Sequence, residues 1–238
     1  MKIALIGYGK MGRAIEEIAL QKGHSIVLKI NDENLHDLTA ENLKRADVAI
    51  EFTIPESAVQ NILQCLEVGV PVVCGTTGWL SQKQMIDEKC KEYNGTFLTT
   101  TNFSVGVNIF FELNKKLAQL MSSQTNYEIF MEEIHHLQKK DAPSGTAITL
   151  AEGILNFSQI KKSWVNETTA SKEELPIISK RMNAVPGTHS IKYSSEEDDI
   201  EIIHTAHNRK GFAAGALLAA EYIYDKKGIF TMKDVLHI

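Results

Sequence analysis

The sequence predicts an α/β protein: a Rossmann-like, doubly wound parallel sheet at the N-terminal end and an α+β region with an open mixed or antiparallel sheet after it. Three observations predict it. Up to Thr100, short unbroken apolar runs alternate with amphipathic helical stretches, the pattern of strands buried on both faces. A glycine-rich loop stands between the first such run and the first helix. Beyond Asn102, strand-like segments come in runs instead of alternating with helices, which marks an α+β arrangement.

Taken in order, residues 2–6 read as a buried strand, 13–22 as the first helix and 25–30 as a second strand ending at Asn31-Asp32. Residues 48–52 form a third strand, closed by Pro55, and 58–67 a helix with Ile62, Leu63 and Leu66 on one face. Residues 70–74 are a fourth strand, closed by Gly75-Thr76-Thr77-Gly78. Ser81 caps a helix running to Tyr93, and 96–100 is a fifth strand. Right-handed crossovers then give the doubly wound topology. In the second half, 108–121 reads as a helix, 127–135 as a strand, and a further helix starts at Ser144. A polar stretch, 158–174, precedes two strands at 189–193 and 200–206. The small-residue helix 212–225 is placed to return to the first sheet.

At 238 residues the chain allows one large domain or two modest ones. A net charge of −5 supplies no basic face, which argues against a nucleic-acid partner. Three cysteines, an odd number without a CxxC pair, fit a reducing cytosol and no disulfide framework. The longest small-apolar stretch, 212–220, is far short of the ~20 residues a membrane span needs, so a cytoplasmic protein without a membrane partner is expected.

Gly7-Tyr8-Gly9-Lys10-Met11-Gly12 is a GxGxxG that follows the first strand and opens the first helix. Such glycines allow a tight turn and close approach of the backbone to a pyrophosphate, which meets free N–H groups at the positive end of the helix dipole. Asp32, 20 positions after Gly12 at the end of the second strand, is where a carboxylate accepts from a ribose diol. Asp32 would repel a 2′-phosphate, so NADH is expected to serve at least as well as NADPH. Gly75, Thr76 and Thr77, and then Thr100, Thr101, Asn102 and Phe103, follow consecutive strands. The carboxyl ends of such strands bind ligands, so both segments are candidate contacts on the nicotinamide side.

The richest segment is Glu133-Ile134-His135-His136-Leu137-Gln138-Lys139-Lys140-Asp141-Ala142-Pro143-Ser144-Gly145-Thr146-Ala147. Ser144 is a natural N-cap. The third helical position is Ala147 rather than the Glu or Gln of a capping box, so no first-turn side chain neutralises the helix start. The N–H groups of Gly145 and Thr146 can then hold a substrate carboxylate, with His136 and Lys139 adding donors. His135 and His136 are adjacent and would face opposite sides of a strand, so no shared metal is expected. A reductase of a cyclic imine needs a hydride donor, a proton donor and carboxylate clamps, and this segment supplies the last two. Between His135 and Lys139 as the acid, the residues alone leave the choice open. Burial of Lys139 among other cations would favour it by lowering its pKa.

This segment resembles the EAHHxxKxDAPSGTA signature of the 4-hydroxy-tetrahydrodipicolinate reductases, with Ile134 where the family often has Ala. The resemblance extends to the glycine loop with Arg13, to Gly75-Thr76-Thr77-Gly78 and to Asn102-Phe103-Ser104-Val105-Gly106-Val107-Asn108. It resumes at His204-Thr205-Ala206 and from Arg209 through Ala216. It implies NADH- or NADPH-dependent reduction of a small dicarboxylate in diaminopimelate and lysine synthesis. It also implies a dinucleotide-binding domain over 1–104 plus 209–238, and a substrate-binding domain over 105–208 that builds a homotetramer. The residue matching His135 is implied as proton donor or acceptor and that matching Lys139 as proton donor. Those matching His136, Ser144, Gly145 and Thr146 are implied in substrate binding, and Arg209 falls with the cofactor set. Two departures stand out. The stretch Arg181 to His189 keeps Arg181, Gly187 and His189 but carries Thr188 where many members have an acidic residue, and Asn31-Asp32 lacks an acidic-then-basic pair. The alternative is another two-domain imine or keto-acid dehydrogenase. A semialdehyde enzyme would want a catalytic cysteine, and Cys65, Cys74 and Cys90 have no partner histidine nearby in sequence.

Overall fold

The computed structural model describes residues 1–238, which divide into two compact units: Met1–Val105 with Lys210–Ile238, and Gly106–Arg209. Elements are numbered in chain order through both. The first unit is built on β1 (Lys2–Ile6), β2 (Ser25–Ile30), β3 (Val48–Glu51), β4 (Val72–Cys74), β5 (Thr96–Thr99) and β11 (Gly228–Phe230). Their order is β11-β5-β4-β3-β1-β2 with every pair parallel. The apolar run of β1 has two destinations. Ala4 and Ile6 enter a core with Ile62, Leu66, Trp79 and Phe97. Ile3 and Leu5 enter another with Ile15, Phe103, Leu217 and Ile223. Both sides of β1 are therefore covered, which is why alternation is absent from its sequence.

The helices of this unit are α1 (Lys10–Gln21), α2 (Ala40–Leu43), α3 (Pro55–Glu67), α4 (Lys83–Glu92), α7 (Lys210–Ile223) and α8 (Met232–Leu236). Helix α1 begins inside the glycine motif, earlier than the apolar periodicity predicts, with Gly9 at its N-cap. Pro55 is the first residue of α3 rather than a mere strand stop, because its missing N–H costs nothing there. A 3₁₀ turn, Leu35–Asp37, and α2 fill the connection that the sequence left unassigned; Thr39 caps α2, its Oγ1 accepting from Asn42 N. A second 3₁₀ turn, Leu80–Gln82, precedes α4 in place of the predicted Ser81 cap. Helix α7 returns to the first sheet as predicted and packs in the core with Ile15. Edge strand β11 went unpredicted; it has three residues, too few for a periodicity.

The second unit carries β6 (Glu128–His135), β7 (Ser163–Val165), β8 (Glu174–Arg181), β9 (Gly187–Ser194) and β10 (Asp199–Ala206), ordered β10-β9-β6-β8-β7. Its helices are α5 (Val105–Met121) and α6 (Gly145–Leu155). Pairs β10·β9 and β6·β9 are antiparallel, whereas β6·β8 and β7·β8 are parallel. The sheet is therefore mixed; the antiparallel half was predicted, but β7 and β8 were not. Pro176 interrupts β8 and polar residues surround β7, so neither reads as a strand on its own. Helix α6 supplies the crossover that makes β6 and β8 parallel. Its core gathers Phe110, Phe111, Leu150, Ile154, Ile177 and Ile191.

Candidate active site

In the first unit the strand ends carry the glycine loop where β1 stands between β2 and β3, the switch point of the sheet. Gly7 sits at φ +94°, and a Cβ there would lie 2.0 Å from the carbonyl oxygen of Phe52. A Cβ on Gly12 would lie 2.7 Å from the oxygen of Gly7, while Gly9 is exposed with open space beside it. Gly7 and Gly12 thus fold the turn tightly, and Gly9 leaves the start of α1 open to a ligand. Lys10 is exposed, Met11 is half-buried, and Asp32 is exposed just past β2. Tyr8 reaches back, its hydroxyl bonded to Glu16, which also pairs with Lys29 at 2.6 Å. Lys29 and Tyr8 together hold the Glu16 carboxyl below its usual range.

The other strand-end candidates separate. Gly75 faces the ring of Phe52, which a Cβ there would meet at 2.2 Å. Thr76 is buried, its hydroxyl accepting from Thr53 N at 2.7 Å and its carbonyl from Trp79 Nε1. Thr77 and Thr101 are exposed. Thr100 Oγ1 accepts from Asn102 N, and Asn102 Oδ1 from Ser104 N, so both tie the loop. Phe103 is a core residue against Phe52, ring centroids 5.7 Å apart. Arg209 is exposed and is the last residue of the second unit. Sequence reasoning passed over Phe52, whose carbonyl and ring require glycine at both 7 and 75. Beneath the loops, buried Glu51 accepts from Thr53 N at 3.1 Å and Cys74 Sγ at 2.9 Å.

In the second unit, strand register assembles the other cluster. Glu133 and His135 share one face of β6. Across β9, Glu133 is opposite His189; across β8, Glu133 is opposite Ser179 and His135 opposite Arg181. All five side chains therefore converge on the face that α6 covers. The Glu133 carboxylate, fully buried, accepts from Ser144 N at 3.1 and 3.2 Å, from Ser179 Oγ at 2.8 Å and from Arg181 Nη2 at 3.2 Å. His135 Nδ1 lies 3.2 Å from Oε2, off the line of a regular hydrogen bond. His189 Nε2 lies 3.7 Å from Oε2 and 3.2 Å from Ser144 Oγ. Gly187 leaves room for the His135 ring, which a Cβ would meet at 3.0 Å.

Ser144 caps α6 as predicted, its hydroxyl accepting from Ala147 N at 3.2 Å. No acidic side chain stands in the first turn of α6, as predicted, but Glu133 reaches the Ser144 N–H from β6, outside the sequence window where a capping carboxylate is sought. Gly145 remains exposed with open space beside it, and Thr146 follows, half-buried. His136 lies just past the end of β6, half-buried, its Nδ1 enclosed without a partner. Lys139 is not surrounded by cations as expected. Its ammonium pairs with both Asp141 oxygens at 2.9 and 2.8 Å, and Arg181 ties this loop down by donating to the carbonyls of Lys139 and Asp141.

The charges divide accordingly. Burial opposes the Glu133 carboxylate, but His135, Ser144 and Ser179 outweigh it and hold Glu133 ionised well below the usual range. Burial and neighbouring His135 push His189 down to about 3 despite Glu133, so its ring is neutral. Burial opposes Asp141 as well, yet Lys139 keeps it below the usual carboxylate range. Ligand atoms of Glu133, His135 and His189 lie within 4.8 Å of one another, as a metal would require. Arg181 already supplies that carboxylate's countercharge, so the set suits a hydrogen-bonded ion cluster better than a cation. Thr188, the departure in the Arg181–His189 stretch, faces the other side of the sheet, where it meets Thr205. All three cysteines are buried, and burial pushes their thiols up, opposite to what a nucleophile needs.

Residues 1–103 match the family description "Dihydrodipicolinate reductase, N-terminus" and residues 106–236 match "Dihydrodipicolinate reductase, C-terminus". A 4-hydroxy-tetrahydrodipicolinate reductase of Christiangramia forsetii is 52% identical over 237 residues, 99% of this chain and 98% of that protein. One from Alkaliphilus oremlandii is 37% identical over 236 residues, 97% and 95% of the two chains. The dipicolinate-bound dihydrodipicolinate reductase of Paenisporosarcina sp. TG-14 superposes with a TM-score of 0.76 at 23% identity, over 97% of each chain. An amine dehydrogenase from Mycobacterium smegmatis gives 0.64 at 12% identity, over 97% of this chain and 94% of that one. These two structures share the fold.

Proposed function

We infer the reaction from kinship: the chain belongs to the dihydrodipicolinate reductase family, and it reduces 4-hydroxy-tetrahydrodipicolinate, with loss of water through dihydrodipicolinate, to tetrahydrodipicolinate in the diaminopimelate route to lysine, with NADH or NADPH. The observation that carries this reading is full-length identity of 52% with a relative of that name. The clustering around Glu133 of the same segment that resembles the family signature supports it.

The first unit, 1–104 with 209–238 in the sequence reading, takes the dinucleotide, and 105–208 takes the substrate. The tight turn at Gly7 and Gly12 and the open start of α1 fit a pyrophosphate. Asp32 accepts from the ribose diol, and the exposed Thr77 and Thr101 line the approach to the ring. The bound reduced nicotinamide supplies the hydride. Gly145 and Thr146 at the start of α6, with His136, orient a substrate carboxylate. Lys139, held by Asp141, delivers the balancing proton from Nζ. His135, only 7% exposed, orients the segment from behind rather than meeting the ring. The partner is the small dicarboxylate and further copies of this chain. The sheet face away from α6 presents Phe130 and Ile203, 49% and 57% exposed, as the seat of a homotetramer. No helix is long and apolar enough to cross a membrane, and the reading is of a cytoplasmic enzyme.

The test follows NADH and NADPH oxidation with substrate generated in place by the preceding synthase from pyruvate and aspartate semialdehyde. Wild type should turn over and Lys139→Ala should lose on the order of 10²- to 10⁴-fold in kcat. Asp32→Ser should shift the ratio of kcat/KM values toward NADPH, by about tenfold for roughly 1.4 kcal/mol of relieved repulsion. Folded protein that binds dinucleotide but turns over neither cofactor would transfer the reading to another imine or keto-acid substrate.

A further inference from the structure

The second unit holds a cavity of about 280 Å³ at the end of α6 and β9 remote from Ser144. Tyr193 lines it, on the same face of β9 as His189 but four residues further, roughly 13 Å along the strand. Ile154, in the last turn of α6, lines it too, with Ala118, Met121 and Ile129. The rest of the lining is largely polar, with Gln124, Glu128, Gln159 and Lys172 among it, and two of its polar residues are buried. Tyr193 is 2% exposed and its hydroxyl has no hydrogen-bond partner. Lys161 is 6% exposed, and its ammonium makes one hydrogen bond, to the carbonyl of Glu174 at 3.0 Å, with Glu128 3.7 Å away and 55% exposed. An ammonium has three donors, and a buried phenol without a partner loses stability that a ligand acceptor would restore.

We propose that this cavity binds a small monocarboxylate with a compact apolar body, aromatic or branched aliphatic, its carboxylate held by Lys161 and Tyr193 and its body against Ala118, Ile129 and Ile154. Two buried donors beside the aliphatic part of the lining call for an acceptor, not a cation. Glu128 already offsets part of the Lys161 charge, so a singly charged head fits and a phosphate dianion does not. Lys161 is the buried cation of the lining and the second lysine, Lys172, is exposed, so one carboxylate is held inside, and the distance along β9 separates this site from the start of α6. An apolar cavity of roughly 150 Å³ takes a benzene ring, so this volume holds a ring with its carboxyl group.

The probe is 4-fluorobenzoate, its binding to the full chain read from ¹⁹F transverse relaxation, with fluorobenzene as the headless control. Wild type should broaden the signal with a dissociation constant on the order of 1 mM. Lys161→Met, which keeps an apolar stem, should weaken it at least about tenfold, and Tyr193→Phe severalfold. Both variants should keep wild-type NADH oxidation, and His136→Ala should keep probe binding. The proposal fails if wild type does not bind at about 10 mM, if Lys161→Met binds as tightly as wild type, or if fluorobenzene matches 4-fluorobenzoate. It fails also if His136→Ala abolishes the signal, since the probe would then sit at the start of α6. If Lys161→Met does not fold, Tyr193→Phe and the headless control decide.

Discussion

A carboxylate without solvent exposure persists only where donors and positive charge converge on it, and Glu133 meets that condition through Ser144, Ser179 and Arg181. It links three elements that the substrate reading depends on: the start of α6, the loop of Lys139 and the ring of His135. Glu133→Gln keeps acceptors for Ser144 N and Ser179 Oγ but leaves the Arg181 guanidinium without its partner. Breaking a buried pair in this way costs about 3 kcal/mol or more, so a thermal melt should show a lower Tm. A helix start displaced by a fraction of an ångström should also lower kcat/KM, by up to about 100-fold, with KM rising because carboxylate orientation is lost first. Unchanged KM with lowered Tm would make Glu133 purely structural. This cluster was only half legible in the sequence. His135, His136, Lys139 and Ser144 lie close together along the chain, so their grouping could be read directly, whereas the approach of Glu133 to Ser144 could not. Arg181 joins them through the register of β8, a strand too polar and too interrupted by Pro176 to be recognised, and His189 through that of β9, a strand that was read but whose pairing with β6 was not.

At the scale of elements, β1 to β5 were legible because burial on both faces writes unbroken apolar runs. Strands β7 and β11 were not, because three-residue edge strands leave little pattern, and β8 was not, because Pro176 and its polar end break the run. Helix α7 shows packing overriding local preference. Gly215 lies mid-helix, where glycine is about 1 kcal/mol worse than alanine, yet a Cβ there would sit 1.8 Å from the carbonyl oxygen of Phe103. The backbone atom cannot turn aside as a side chain would, so overpacking by about 1–3 kcal/mol or more outweighs the propensity gained. Gly215→Ala should therefore melt at a lower temperature than wild type. Gly211→Ala in the same helix would meet nothing nearer than Ser104 Oγ at 3.8 Å, and should be neutral or slightly stabilising. Equal melting temperatures for the two variants would refute this account of how α7 seats.

For the molecule as a whole, acid stability follows from which groups the fold keeps uncharged. His189 is neutral with a pKa of about 3, against 6.5 in an unfolded chain, because burial and His135 outweigh the attraction of Glu133. Its folded pKa is depressed, so below pH 6.5 the unfolded chain binds a proton that the native state refuses. Stability is full above 6.5 and falls toward pH 3, by about 1.4 kcal/mol per pH unit at most. His204, pushed down by burial and by His207, adds in the same direction. Glu133 is also depressed, but as a carboxylate its contribution is present above 4.5 and is lost only below it. The interval from pH 6.5 to 4.5 thus belongs to the histidines, and the carboxylate enters underneath. For a chain of this size, about 3 kcal/mol over that interval lowers the melting temperature by roughly 5–10 °C. Scanning calorimetry from pH 7.5 to 4.5 measures it. His189→Gln, which can still bond Ser144 Oγ, should flatten most of the slope while melting lower at pH 7.5. A slope unchanged in that variant would mean that His189 takes its proton in the folded state, and that Glu133, not burial, governs the centre of the cluster.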